Sequence, residues 1–378
     1  MSRIDELIRE LCPAGVTLMQ LGEVVRIRNG KDHKTLAEGI YPVYGSGGIM
    51  RYGNEYLYNK PSVLIPRKGS LGNLFYVDKP FWTVDTIFYT EVDSGQLIPK
   101  YLYYFMSTVG LGDMNQAGGV PSQTQSVLNR INVPVPPLEI QGEIVRVLDS
   151  FTELEAELEA ELEARRAQYA YYRTKLLSST FDGMQPTTPL EDVVVFTNAK
   201  AHERLVNPDG DVALLTARFI STQGRSVRYV RACDVLTPAR SGDVALVMSD
   251  LPNGRALART FYVNADGMYA ANQRVCLLTV KDTKKLNSKF LFYVMDRNEQ
   301  LLAYDSGVDQ THLKKSYITN TLIAVPPLSV QEQIVEILDK FDALVSDLSI
   351  GLPAELAARR KQYKYYRDRL LTFDELVA

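Results

Sequence analysis

Cysteine is scarce in this chain: Cys12, Cys233 and Cys276 are odd in number, and none stands in a Cys-x-x-Cys pair. That pattern argues against a disulfide scaffold or a thiolate zinc site. Histidine is equally sparse, with His33, His202 and His312 scattered along the sequence. No apolar run approaches the ~20 residues of a membrane span. The polar start, Met1-Ser2-Arg3-Ile4-Asp5-Glu6, lacks a secretory signal pattern. A reduced, cytoplasmic setting is the simplest expectation. There is no Walker A sequence and no His-Glu-x-x-His. Gly45-Ser46-Gly47-Gly48 superficially suggests a phosphate-cradling loop, but lacks the Lys-Ser/Thr that would contact nucleotide, so a turn between strands is expected.

An excess of positive charge is lacking too. The 378 residues carry a formal net charge of −3, which by itself speaks against nucleic-acid binding. The distribution reverses that impression. From Arg26 to Lys79 nine Lys/Arg face four acids, and from Lys200 to Arg259 nine face six. Between Glu139 and Glu163 nine acids stand against Arg146 alone. Charge is partitioned along the chain, and the sum conceals it.

What the chain does have is an internal repeat. Pro136-Pro137-Leu138-Glu139-Ile140-Gln141 returns as Pro326-Pro327-Leu328-Ser329-Val330-Gln331. Each copy continues through Ile-Val-x-x-Leu-Asp-x-Phe, to Phe151 and Phe341, and closes on Gln-Tyr-x-Tyr-Tyr-Arg at Arg173 and Arg367. Such a repeat implies two units related by a pseudo-twofold. Positions 144, 148, 151, 155, 158, 162, 165, 169, 172 and 176 alternate in steps of four and three. Eight of them suit a coiled-coil seam, Glu155 and Arg165 being the exceptions. The spacing predicts one helix over Ile140–Leu176, roughly 55–60 Å long. The second copy predicts a helix over Val330–Leu371, interrupted at Gly351 and Pro353. Its seam is Ile334, Leu338, Phe341, Val345, Leu348 and Leu352. Two such helices would pack antiparallel.

A β-rich region precedes each helix. Strands are predicted at 41–44, 62–65, 74–77 and 84–91 in the first, and at 212–215, 244–248, 259–263 and 274–280 in the second. A short helix follows in each, with Lys100-Tyr101-Leu102-Tyr103-Tyr104-Phe105-Met106 matching Lys289-Phe290-Leu291-Phe292-Tyr293-Val294-Met295. The expected fold class is therefore α+β: two similar β-rich domains, 1–135 and 181–325, and two long helices, 136–180 and 326–378.

These repeated helix-opening and helix-closing sequences, with Tyr44-Gly45-Ser46-Gly47-Gly48 and Leu64-Ile65-Pro66-Arg67-Lys68-Gly69-Ser70, resemble the specificity (S) subunit of Type I restriction–modification systems. The resemblance covers essentially the whole chain. It implies two target-recognition domains, each reading half of a bipartite double-stranded DNA site. The helices would act as ruler and as dock for two methyltransferase (M) subunits, with restriction/translocase (R) subunits joining the full complex. The chain lacks the Asn/Asp-Pro-Pro-aromatic tetrapeptide of amino-methyltransferases. It is therefore expected to be non-catalytic, with no metal or cofactor of its own; S-adenosylmethionine, ATP and Mg would sit on the partners.

DNA contact needs cations for phosphates and forked donors or amides for base edges. In the first domain the candidates are Lys31, Lys34, Tyr44, Ser46, Arg51, Arg67, Lys68, Ser70 and Asn73. In the second they are Arg204, Arg218, Gln223, Arg225, Arg228, Asn253 and Arg255, the second domain having no clear copy of Arg67-Lys68-Gly69-Ser70. Taken singly each is more simply a surface residue; as clusters on loops of an acidic chain they favour DNA. Gln123, Gln125, Gln310, Thr311, His312 and Lys314 could also reach a groove, or serve structural hydrogen bonds instead. On the helices, Tyr169 and Tyr172 fall on the seam, whereas Tyr171 and Tyr365, with Arg173 and Arg367, are candidates for partner binding. Two other classes stay open: a coiled-coil scaffold whose β-rich domains bind protein, and an enzyme with an unrecognised site.

Overall fold

A computed structural model describes residues 3–114, 121–178, 187–250, 256–305, 307–346 and 351–376. The chain divides into two compact units, Met1–Glu161 with Ala354–Ala378, and Leu162–Pro353. The first repeat is an unbroken helix of 41 residues, Leu138–Ser178, which starts in one unit and ends in the other. The second repeat forms two helices, Leu328–Ser346 and Leu352–Leu370. The expected interruption is thus present. Pro353 is the second residue of the later helix, where its missing N–H costs nothing. Leu348, placed on the seam, lies outside the described residues.

Each unit is built on a four-stranded antiparallel sheet with the same strand order. In the first unit Val25–Asn29 pairs with Ile87–Val92, which pairs with Ser62–Pro66, which pairs with Phe75–Val77. In the second the order is Val194–Asn198, Val275–Val280, Val244–Val247 and Thr260–Tyr262. Ser62–Pro66 and Val244–Val247 are buried throughout, so they read as continuous apolar runs and not as alternating ones. The predicted strand at 84–91 begins only at Ile87. Val84 turns away to donate to the Tyr44 carbonyl, and the Ile87 N–H closes a turn on Val84. The short helices Pro99–Met106 and Ser288–Met295 pack into the cores, burying Tyr101, Leu102 and Tyr104 in one and Phe290, Leu291 and Tyr293 in the other.

The repeated motif has a structural reason in both units. Gln141 is fully buried; its Oε1 accepts from the Ile98 N–H, and its Nε2 donates to the Gln96 and Pro136 carbonyls, all at 2.8 Å. Gln331 does the same with Asn287, Lys285 and Pro326, at 2.7–2.8 Å. Two turns on, the Asp149 carboxylate takes Lys100 Nζ (2.8 Å) and the Tyr104 hydroxyl (2.5 Å). Asp339 takes Lys289 (2.7 Å) and Tyr293 (2.6 Å). Burial first, and then the carboxylate acceptor, push both phenols well above their ordinary pKa, so they remain donors. The short helix is thereby bolted to the long one twice.

In the first unit the two helical segments run antiparallel. Phe151 lies against Tyr363 and Tyr366, and, further along one helix and back along the other, Arg360 meets Glu155 (2.6 Å) and Glu159. That ion pair explains why a carboxylate is tolerated at seam position 155. In the second unit Phe341 stacks on Tyr169 and Tyr172, with ring centroids 6.1 and 5.8 Å apart. The aromatic pairs at seam positions are packing elements. The first unit also gathers the chain ends: the Val16 N–H donates to the Asp374 carbonyl and the Leu376 N–H to the Val16 carbonyl.

Candidate nucleic-acid interface

In the first unit three stretches of candidate residues meet on residues 83–86. The Lys31 N–H donates to the Thr83 carbonyl, the Val84 N–H to that of Tyr44, and the Arg67 and Lys68 N–H groups to that of Thr86. The approach at Lys31 is close enough that a Cβ on the neighbouring Gly30 would lie 2.0 Å from the Val84 carbonyl oxygen, so only glycine fits. Ser46 and Gly47 form the two-residue tip of a hairpin joining strands Glu38–Gly45 and Gly48–Gly53. The glycine-rich stretch is therefore the turn its sequence suggests, with Gly48 at φ +116°.

The loop after strand Ser62–Pro66 folds back on that hairpin tip. Asn73 Nδ2 donates to the Ser46 carbonyl (3.3 Å), and the Asn73 N–H to the Ser70 carbonyl (3.0 Å). Lys68 pairs with Ser122, and the Gly69 N–H donates to the Pro121 carbonyl. Ser46, Lys68, Ser70 and Asn73 are thus brought together on one surface. The Arg67 guanidinium is half-buried and lies 5.8 Å from the centre of the Phe88 ring. Lys31 and Lys34 are exposed. Arg51 donates to the Leu36 carbonyl (3.0 Å), and the Tyr44 ring packs on Phe75 and Phe81. Burial first, then the nearby Tyr52 and Asp78, raise the Tyr44 phenol. Two of the candidates are therefore already engaged by their own domain.

Gln123 and Gln310 resolve to structural roles. Buried Gln123 donates to the Pro66 carbonyl (2.6 Å), and Gln310 donates to Ser249 Oγ (2.9 Å). Each ties the loop leaving the buried central strand to the loop before the last small strand. Thr311 and His312 pair with Asp250 and Ser249 in the same way.

In the second unit Arg218 projects from the short helix Ala217–Ser221, whose cap Thr216 accepts from the Phe219 N–H. Gln223 follows in a left-handed conformation (φ +51°), and Arg204, Gln223, Arg225 and Arg228 are all exposed. Asn253 and Arg255 lie outside the described residues. Arg218 and Arg228 converge on a recess whose third arginine, Arg274, composition and spacing did not single out. His202 is a satisfied interior group: Nε2 accepts from the Leu236 N–H (2.9 Å) while Nδ1 faces the Lys200 carbonyl (3.0 Å).

On the helices Tyr171 and Tyr365 stand 60% and 59% exposed, at matching places in the two repeats. Their neighbouring arginines differ. Arg173 donates to the Tyr293 and Asp296 carbonyls (2.9 and 2.7 Å), whereas Arg367 donates to the adjacent Asp368 and lies over the Tyr363 ring. Asp296 also offers Arg173 a carboxylate at 3.4 Å, where the first unit has Ser107. Among the described residues no group of three or more His, Cys, Asp or Glu could hold a metal, and no helix is long and apolar enough to cross a membrane.

Comparison with known proteins fits this duplicated frame. The family model for the Type I restriction modification DNA specificity domain matches residues 13–164 and again 243–358. The chain belongs to that family. It is 28% identical to a putative type I restriction enzyme specificity subunit of Haemophilus influenzae, over 89% of each chain. It is 27% identical to the EcoR124I/EcoR124II specificity subunit of Escherichia coli, over 99% of this chain and 98% of that one. The crystal structure of an S subunit from M. genitalium superposes with a TM-score of 0.61 at 15% identity, covering 94% of this chain and 96% of that one, which shows a shared fold. The expected α+β class, with two β-rich domains and a long joining helix, is the one found. A Type I specificity subunit is the non-catalytic component of its system, and the chain is one by family. Residues 165–242 fall between the two matched segments, so the part of the second unit that carries Arg204 to Arg228 is the part the family model does not describe.

Proposed function

We propose that this specificity subunit reads a split, asymmetric sequence in double-stranded DNA, one half with each β-rich domain. The observation that carries the reading is the combination of a repeated frame with unrepeated loops. Gln141 and Gln331, Asp149 and Asp339, Phe151 and Phe341 make the same contacts in both units, while the loops holding the candidate cations differ. Identical frames suit a common task, and divergent loops suit two different half-sites. Lys31, Lys68, Ser70 and Asn73 in the first unit, and Arg204, Arg218, Arg225 and Arg228 in the second, are exposed where phosphates and base edges can be met. Two M subunits dock on the helical repeats at Tyr171 and Tyr365, and R subunits join them. S-adenosylmethionine, ATP and Mg belong to those partners.

The test is to express the chain with its M subunit and map methylated bases across the host genome. A two-part motif with a fixed unspecified gap is expected, lost when the chain is omitted. The chain alone should transfer no methyl group. A continuous motif would refute two-domain reading, and a complex that assembles but binds no duplex would favour the protein scaffold.

A further inference from the structure

The second unit holds a basic recess of about 320 Å³, lined by Arg218, Arg228 and Arg274 together with Thr216 and Ser226. Among the described residues none of the three guanidiniums makes a hydrogen bond or ion pair. The one acid at the recess is Glu203, and it is already engaged: its Oε1 accepts from Asn272 Nδ2 (2.9 Å) and Gln273 Nε2 (2.7 Å). Three positive heads therefore face one tied carboxylate. Gathering like charges without partners is unfavourable unless an anion completes the set.

Arg274 adds an independent sign. Its φ of +72° is left-handed, a conformation that suits glycine or asparagine and strains an arginine. The backbone is pinned on both sides: the Arg274 carbonyl accepts from the Met248 N–H (2.8 Å), and the Val275 N–H donates to the Asn272 carbonyl (3.1 Å). Glycine would relieve the strain at once; this chain carries it with an arginine whose side chain is exposed at the recess. The equivalent corner of the first unit is built in reverse. There the loop residue Arg67 donates its N–H to the Thr86 carbonyl; here the loop residue is the buried Met248, and the cation stands in the turn just before the facing strand, as Arg274. Each domain thus sets a guanidinium at the end of its central strand pair, from opposite strands.

We propose that this recess seats a phosphodiester of the DNA backbone, bound by Arg218, Arg228 and Arg274 and flanked by Thr216 and Ser226. The inference rests on the DNA-recognition reading above and goes further, by assigning Arg274 and a contact that positions the domain without reading bases. Guanidinium forks match phosphate oxygens, and such contacts set register on the duplex.

The test uses the full chain purified with its M subunits and a duplex carrying the mapped target. Affinity is measured across a KCl series for the wild type, Arg274→Asn and Arg228→Gln. Asparagine tolerates the left-handed backbone, so Arg274→Asn should melt no lower than the wild type. Its slope of log K against log[KCl] should fall by about 0.9 for the one lost phosphate contact. The loss should be equal on duplexes altered in either half-site. A wild type that binds no duplex removes the recognition reading, and this inference with it. A wild type that binds while Arg274→Asn keeps its slope, or loses affinity at one base position only, overturns the inference alone. So does a variant that loses inorganic phosphate binding yet keeps the wild-type DNA slope, which would make the recess a site for free anions.

Discussion

The two units agree residue by residue at the glutamine and aspartate contacts that tie the short helix to the long one, and differ in the sheets and loops added to the central sheet. Gln141 and Gln331 each satisfy three backbone groups, and Asp149 and Asp339 each hold one lysine and one tyrosine. By contrast, the first unit adds a three-stranded sheet, order Gly48–Gly53, Glu38–Gly45, Trp82–Thr83, with Tyr44 packed in an aromatic cluster with Phe75 and Phe81. The second places a four-stranded sheet, order Tyr229–Val230, Val212–Leu215, Tyr269–Ala271, Pro238–Ala239, beside the arginine recess. Attachment repeats because the geometry to be held repeats. On the proposed reading, the recognition loops diverge because the two half-sites differ.

That contrast is broken most completely by exchanging one recognition region. Replacing residues 18–132 by the matching region of another family member should change one half-site entirely and leave the other intact, as read by methylated-base mapping. Gln141 hydrogen-bonds to main-chain atoms of that region, so a donor with the same backbone satisfies it. Asp149 contacts side chains, so a donor must bring its own lysine and tyrosine at positions 100 and 104. A simultaneous change in both half-sites would show that the domains do not read independently.

A sharper test strikes the frame itself. Gln141→Leu keeps bulk but leaves the Ile98 N–H and the Gln96 and Pro136 carbonyls without their partner. At about 1 kcal/mol per orphaned buried group, the loss should be ~3 kcal/mol. Gln331→Leu, facing the same three kinds of group, should lose as much, measured by urea unfolding. Equal losses support equivalent frames. A large loss in one and none in the other would mean the repeat conserves sequence without conserving its role.

The frame was legible in the sequence because its signals are local or doubled. A proline pair, a glutamine at fixed distance from it and a seam in steps of four and three are spacing patterns, and each occurs twice. The recess was not legible, for a physical reason. Arg218 and Arg228 come from a helix and a strand flank, Arg274 from a tight turn much further along the chain, and the pairings of Val212–Ala213 with Tyr229–Val230 and of Ala213–Leu215 with Tyr269–Ala271 unite them. Nothing in the stretch Ala271-Asn272-Gln273-Arg274 announces a left-handed arginine. Tyr44 and Arg51 illustrate the opposite limit. Both carry chemistry suited to DNA, but burial against Phe75 and a bond to the Leu36 carbonyl engage them within their own domain.

The smallest expected effect concerns the stretch of helix between the two frames, where Thr152 to Glu163 comprises three four-residue units. Arg360 lies on Glu155 and Glu159, four residues apart. Deleting Ala156 to Glu159 draws Ala160-Glu161-Leu162-Glu163 into the vacated places, so Glu163 replaces Glu159 and Leu162 replaces Leu158 without changing residue type. The helix shortens by about 6 Å and its face turns by about 40°. The packing chemistry is conserved while the distance is not. With DNA rising about 3.4 Å per base pair along each strand, the unspecified gap between half-sites should shorten by roughly one or two base pairs. Both half-site sequences should stay as they were. Methylated-base mapping of the deletion variant reads gap and half-sites together. An active variant with an unchanged gap would show that these units are simply good helix formers bearing a solvated acidic face, and that spacing is set elsewhere.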